Sequence, residues 1–307
     1  MLLRKGSSFL LLAYNKAMSL RKAINSKDFV ITAEINPPKG SDPSIALANA
    51  SKIKGLVDAI NITDNSAATM KMSSLVLSHL IQKETGIEAI WQMTCRDRNR
   101  LALQSDLMGG AALGLINLLL LKGDPPNEPI KEEQCFDIGT EELITIIEGL
   151  KHGKDSEGKE LKSNPPDFCM AAAAHPGLPN LASQKETMLR RMDLGVEFFQ
   201  TQICFEKDQI NKFVDSIGDE LASKTILGIT PLKSLGQANF MNKNIFGVTV
   251  PDSDLAAMEA AGDDAAKRGL ELAKDLIDHI KTTPLKGVHV MAIGQEDILD
   301  KIISTIR

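Results

Sequence analysis

The sequence predicts a single (β/α)8 barrel. Eight apolar, strand-like segments alternate with eight segments of helical period along 307 residues, without a break in composition. One strand candidate, Leu115–Leu121, is apolar apart from Asn117, as expected of a parallel strand covered on both faces. The glycine fingerprint of an open dinucleotide-binding sheet is missing after the first strand, where Asn36-Pro37-Pro38-Lys39-Gly40 stands instead.

In chain order the strand candidates are Phe29–Ile35, Asp58–Thr63, Glu88–Thr94, Leu115–Leu121, Asp167–Ala174, Phe198–Phe205, Thr225–Leu232 and Val288–Ile293. β-Branched and apolar residues carry most of them, and the fifth is alanine-rich. Helical period follows each in turn over Ile45–Lys54, Ala67–Thr85, Asn99–Gly109, Thr140–His152, Gln184–Asp193, Lys207–Ile217, Ala256–Thr282 and Glu296–Arg307. Two connections are long. Lys151–Pro166 is charged and reads as an exposed loop, whereas Asn239–Asp254, with Phe240, Phe246 and Pro251, reads as a segment packing over the barrel mouth. Residues 1–27 read as an N-terminal extension and 28–307 as the barrel. The apolar run Phe9–Ala13 is too short for a signal peptide, and both Met1 and Met18 suit a translation start.

Composition excludes several function classes. The net charge is −5, with one Trp and one Tyr, so neither a basic nucleic-acid surface nor a base-stacking platform is indicated. No run has the length and uniformity of a membrane-spanning helix. Cys95, Cys135, Cys169 and Cys204 are widely spaced, which suits free thiols in a reducing cytoplasm.

In a barrel of this kind active groups gather where strands end. Those exits offer Glu34 and Asn36; Asn61, Thr63 and Asp64; Gln92, Thr94, Cys95 and Arg96; Lys122 and Asp124; His175; Gln200 and Gln202; Thr230 and Lys233; and Gln295. Glu34 interrupts an apolar strand just before Pro37-Pro38, and Asp124 follows one just before Pro125-Pro126. A buried carboxyl with a raised pKa is a general acid, although an ion pair with a lysine or arginine across the barrel accounts for Glu34 equally. Gln92 and Gln202 either bind an amide-rich ring or satisfy each other and nearby backbone. His175 lacks the companion histidines of a metal site, and Cys95 and Cys204 lack local catalytic partners.

Taken in order, these residues resemble the methylenetetrahydrofolate reductases, flavin-dependent enzymes of one-carbon metabolism. The resemblance runs from about Phe29 to the C-terminus. Ala33-Glu34-Ile35-Asn36-Pro37-Pro38 and Leu121-Lys122-Gly123-Asp124-Pro125-Pro126 carry most of it. Ile62-Thr63, Met93-Thr94-Cys95, Asp193-Leu194-Gly195, Thr201–Glu206 and Gly228–Pro231 support it. It implies a barrel holding FAD at its C-terminal mouth, with folate as substrate. Glu34 matches the family's general acid, and Asp124 the acid beside flavin and pterin. Gln202 matches a glutamine that contacts folate. Thr63, Thr94, Lys122, His175 and Arg191 fall on the cofactor side.

The sequence also departs from the family. Gln92 stands where a histidine lies near the flavin, Lys122 where arginine precedes Gly-Asp, and Gln184 at a position often acidic. Leu235 replaces a phenylalanine that receives nicotinamide and folate. These changes resemble a branch found in anaerobic one-carbon pathways, whose electrons come from NAD(P)H or from a partner subunit or ferredoxin-linked donor. Two other functions fit the same resemblance, a pterin-binding methyltransferase working with a corrinoid partner and a folate-binding subunit of a larger complex.

Overall fold

The computed structural model describes residues 19–125, 136–245 and 247–307. The expectations resting on Phe9–Ala13, Met1, Met18, Pro126, Cys135 and Phe246 lie outside them. Eight parallel strands close into a barrel in sequence order: β1 Val30–Ile35, β2 Ala59–Ile62, β3 Ala89–Thr94, β4 Asn117–Leu121, β5 Cys169–Ala174, β6 Phe198–Ile203, β7 Thr225–Ile229 and β8 Gly287–Val290. The ring closes where β1 pairs with β8, Val30 opposite Gly287 through Ala33 opposite Val290. All eight strand candidates are strands.

The helices are α1 Leu20–Ser26, α2 Ser44–Lys52, α3 Ser74–Thr85, α4 Arg100–Ala112, α5 Thr140–Lys151, α6 Leu181–Asp193, α7 Lys207–Ile217, α8 Asp219–Ala222, α9 Leu235–Asn244, α10 Asp252–Ala261, α11 Ala265–Ile280 and α12 Leu299–Ile306. Three differ from expectation for local reasons. The helix expected from Ala67 begins only at Ser74, because Asn65, Ala67 and Ala68 adopt left-handed φ values of 47°, 53° and 50°. The long helix expected over 256–282 breaks at Gly262, whose φ of 52° and ψ of −117° no helix accommodates. Finally, part of the stretch read as an extension is α1.

Alternation along the strands sorts the barrel interior into layers. At the N-terminal end Val30, Ala59, Ile90, Leu119, Cys169, Ala171, Phe198 and Ile226 form an apolar layer. Helix α1 plugs it from below with Leu20, Ala23 and Ile24. The plug is also bonded at its rim: Leu20 N donates to Glu88 at 2.8 Å, and Arg21 reaches Asp167, the Phe168 carbonyl and Glu197 at 2.7–2.9 Å. Leu20 has no exposed surface, so Leu20→Ala is expected to cost about 2–5 kcal/mol. Urea unfolding measures this, and a loss below about 1 kcal/mol would mean that α1 is only a loose attachment.

The second interior layer is polar. Thr32, Asn61, Gln200 and His289 occupy it, all nearly buried. Asn61 and Gln200 exchange amide hydrogen bonds at 2.5 and 3.2 Å. Gln200 Nε2 also reaches Thr32 Oγ1 at 3.3 Å, and the same hydroxyl lies 2.9 Å from His289 Nδ1. Above this layer the barrel opens.

Outside the barrel one continuous apolar core joins the strands to the helices. A separate cluster of Leu232, Ala238, Met241, Val248, Val250 and Met258 packs α9 and α10 beside the β7–β8 side of the rim. The segment expected to cover the mouth therefore stands next to it. None of the described residues in 239–254 lines the central cavity, and Phe240 is 61% exposed. Lys151–Pro166 is mainly exposed, as the sequence suggests, with a single bridge between Lys154 and Glu160. Among the described residues no helix is long and apolar enough to cross a membrane.

Candidate functional site

The C-terminal mouth holds an open cavity of about 720 Å³. Its wall takes Glu34 from β1, Gln92 and Thr94 from β3, Lys122 and Asp124 from the β4 exit, and His175 from the β5 exit. Gln184 and Arg191 from α6, Gln202 from β6, and His289 and Met291 from the β8 side also line it. The chain thus brings together eight of the ten site residues expected from sequence. Thr63 is buried one step back, donating to Asn36 Oδ1 at 3.0 Å, and does not line the cavity. Leu235 begins α9 and packs with the rim cluster, also away from the cavity.

Glu34 lies in the inward register of β1, above Val30 and Thr32. Its side chain is 14% exposed, and its Oε2 is 3.7 Å from His289 Nε2. No described lysine or arginine pairs with it. Sequence reading passed over His289 because a single histidine in an apolar strand carries no motif. Its signal was position: β8 adjoins β1, and the Thr32–His289 register places the imidazole one layer below Glu34. The histidine joins Glu34 to the polar layer beneath it.

Asp124 is set by backbone rather than by a strand. Gly123 has a φ of 95°, and a Cβ there would lie 3.1 Å from Arg96 Cβ and 3.2 Å from Thr94 Cβ. The turn brings Asp124 Oδ2 to the Ala67 N–H at 2.7 Å. Lys122 Nζ stands 5.2 Å from the Phe136 ring centroid, a cation–π contact, and has no carboxylate partner among the described residues.

Gln202 is aimed by a bulge in β6. The β6–β7 register shifts between Gln200 and Ile203, and Gly228 on β7 makes room for it: a Cβ there would lie 2.5 Å from the Thr201 carbonyl oxygen. Gln202 Oε1 accepts from Ile203 N at 2.9 Å. Gln92 and Gln202 do not bond each other. Gln200, two residues before Gln202 on β6, pairs with Asn61 in the layer below.

The β5–α6 side is cationic. Arg191 Nη1 donates to the Ala173 carbonyl at 3.1 Å, while its Nε is buried without a partner. Burial pushes this guanidinium below its ordinary pKa. Burial first, and then the Arg191 charge, push His175 below its ordinary pKa as well. Gln184 Oε1 accepts from the His175 backbone N–H at 3.3 Å, fixing the β5 exit. An orphaned buried donor beside a wide cavity suits a phosphate-bearing ligand, whose oxygens would satisfy Arg191 Nε. A diphosphate-linked cofactor such as FAD therefore fits the residues present on this side.

Cys95 and Cys204 are poor nucleophiles. Burial pushes Cys95 up to about 11 and Cys204 up to about 12. Among the described residues no three His, Cys, Asp or Glu side chains converge as a metal site.

Residues 19–307 match the family model for methylenetetrahydrofolate reductase. The 5,10-methylenetetrahydrofolate reductase of Escherichia coli is 23% identical over 306 residues, covering 94% of this chain and 96% of its own. Methylenetetrahydrofolate reductase 2 of Schizosaccharomyces pombe is 23% identical over 247 residues, 75% of this chain but 37% of its own length. The chain thus spans nearly all of the bacterial relative and little more than a third of the yeast one. Among solved structures, the coenzyme F420-dependent tetrahydromethanopterin reductase of Methanopyrus kandleri superposes with a TM-score of 0.55 and 13% identity. That match covers 91% of this chain and 97% of the other, a likeness of fold.

Proposed function

The chain belongs to the methylenetetrahydrofolate reductase family, and from that premise we propose that it interconverts 5,10-methylenetetrahydrofolate and 5-methyltetrahydrofolate with FAD as its cofactor. The observation that carries this reading is that Glu34, at the β1 exit, and Asp124, at the β4 exit, line one cavity that also offers an orphaned arginine donor.

Each residue has a task that follows from its chemistry. Opening the N–C–N bridge of the folate needs a proton on one nitrogen, and Glu34 is the acid on the wall to deliver it. His289 Nε2 lies 3.7 Å from the Glu34 carboxyl on the β8 side, and its Nδ1 lies 2.9 Å from Thr32 Oγ1, so the ring stands between Glu34 and the Thr32–Gln200–Asn61 layer. Gln202 presents an amide to the pterin, whose edge carries both donors and acceptors. Asp124 contributes a negative charge at the β4 exit. Arg191, Lys122 and His175 line the side that would hold the FAD phosphates and ring. FAD, when bound, supplies the hydride chemistry; the protein supplies position and field.

Reconstitution with FAD tests the reading. The purified protein should take up FAD and turn yellow, and the loaded protein should oxidise 5-methyltetrahydrofolate with an artificial electron acceptor. NADH, NADPH and reduced ferredoxin, tried in turn, identify the donor. Absence of flavin binding would overturn the assignment, while flavin binding with no folate turnover would leave a binding subunit. Arg191→Met should weaken FAD binding by about tenfold to a hundredfold, the size of a lost charge-assisted hydrogen bond. Fluorescence quenching of FAD on titration measures it, and an unchanged affinity would remove Arg191 from the site.

A further inference from the structure

One buried side chain joins three of the mouth loops. Arg96 follows β3 and is 3% exposed. Its Nε and Nη2 grip the Asp97 carboxylate, both at 2.7 Å. Nη1 donates to the carbonyl oxygen of Asp124 at 3.2 Å, and Nη2 also donates to the carbonyl oxygen of Asn65 at 3.0 Å. The exits of β2, β3 and β4 thus meet on a single guanidinium. With five donors a planar fork can grip both oxygens of a carboxylate and two carbonyls at once, four bonds that the three donors of an ammonium cannot make.

The tie reaches Asp124 by two routes. One is its own carbonyl. The other is the segment after β2, where Asn65, Ala67 and Ala68 are left-handed, a conformation that residues with a Cβ resist. Arg96 holds that segment by the Asn65 carbonyl, and Lys71 N holds it by Asn65 Oδ1 at 3.0 Å. The held segment delivers the Ala67 N–H to Asp124 Oδ2. Backbone strain persists only where surrounding contacts over-determine it, and here those contacts converge on the carboxylate.

Arg96 brings little net charge of its own. Burial alone would push the Asp97 carboxyl up, but the Arg96 fork outweighs it and Asp97 lies below the ordinary carboxylate value. The guanidinium and the Asp97 carboxylate pair at 2.7 Å, and Asp124 stands beside them on the cavity wall.

We propose that Arg96 is the positioning residue for Asp124: by joining the β2, β3 and β4 exits it fixes that carboxylate as a stationary charge beside the bound flavin. This rests on the reading that FAD occupies the cavity. Arg98, two residues on, gives the matching control. It is half-buried and also forked onto a carboxylate, Asp64, but it makes no contact with Asp124.

Sulfite titration of the FAD-loaded protein tests the proposal. Sulfite adds to oxidised flavin as an anion and bleaches its visible absorbance, so a fixed carboxylate nearby opposes it. Asp124→Asn should tighten sulfite binding roughly tenfold, as expected for removing one charge about 10 Å away at an effective dielectric near 20. In an Arg96→Met background the same change should alter sulfite binding only about twofold, because a carboxylate no longer held turns into water, where a dielectric near 80 screens its charge. Arg96→Lys should behave as Arg96→Met does, whereas an Arg98→Met background should keep the roughly tenfold effect. A full Asp124→Asn effect in Arg96→Met protein overturns the proposal, and so does its absence in FAD-loaded protein of native sequence. Failure to bind FAD counts instead against the assigned function. The positioning is then read by hydrogen exchange at the Ala67 amide, which should speed up at least tenfold in Arg96→Met protein and stay unchanged in Arg98→Met. Unchanged Ala67 exchange in Arg96→Met protein overturns it.

Discussion

Glu34→Gln is expected to lower folate turnover by about 10²- to 10⁴-fold, the span of a general acid's contribution, while FAD binding and flavin reduction stay near the native level. The substitution keeps the shape of the side chain and removes its proton. His289, 3.7 Å away, cannot take over, because it sits one layer deeper and is 3% exposed. Rapid mixing separates the two half-reactions: reduction of the flavin by an artificial donor, then its reoxidation by methylenetetrahydrofolate. Only the second should slow. Equal loss in both halves would mean that Glu34 supports the fold of the mouth rather than the proton transfer.

The second large effect is on stability. Asp64 is almost entirely buried at the β2 exit, where its carboxylate accepts from Thr94 N and Thr94 Oγ1 at 2.9 Å each. It also accepts from Arg98 at 2.7 and 3.0 Å and from Ser74 at 3.3 Å. Asp64→Asn places an amide N–H2 against donors and leaves Arg98 with only the part-exposed Asp106 at 2.9 Å. Breaking one side of a buried pair typically costs about 3–5 kcal/mol, and that loss is expected here. Urea unfolding should show a lower midpoint with an unchanged slope. A change below about 1 kcal/mol would show that water enters and solvates Arg98 in the variant.

Most of the architecture was legible because parallel barrel strands are buried on both faces and announce themselves as apolar runs. Leu115–Leu121 did so plainly, and even the alanine-rich fifth strand fell where expected. Helix starts were less legible where tertiary contacts decide backbone conformation. Nothing local in Asn65-Ser66-Ala67-Ala68 demands left-handed φ; the hold of Arg96 and Asp124 imposes it. Glu34, Asp124 and Gln202, which line the cavity, were legible from their place at strand ends, whereas Arg191 was placed by resemblance. His289 and Arg96 were not singled out. A histidine that matters by adjoining a strand most of the chain away, and an arginine that matters by reaching carbonyls, leave no pattern in sequence. Leu235 was placed by resemblance alone, and its packing against Leu232 and Met241 reflects the extra helical pair α9–α10 on that side.

The α1 plug separates two kinds of substitution in space. Its partners, Phe198, Ile226, Asp167 and Glu197, lie at the end of the barrel opposite the cavity, and none of them lines it. Changes in the two regions should add independently, since distant sites couple weakly. Heat tolerance can therefore be engineered at the closed end, by filling around Ala23 or strengthening the Arg21 cluster, with turnover left as an untouched variable. The same distance makes the closed end a safe point of attachment for a solid support, since a molecule held there still offers its open mouth to the solution.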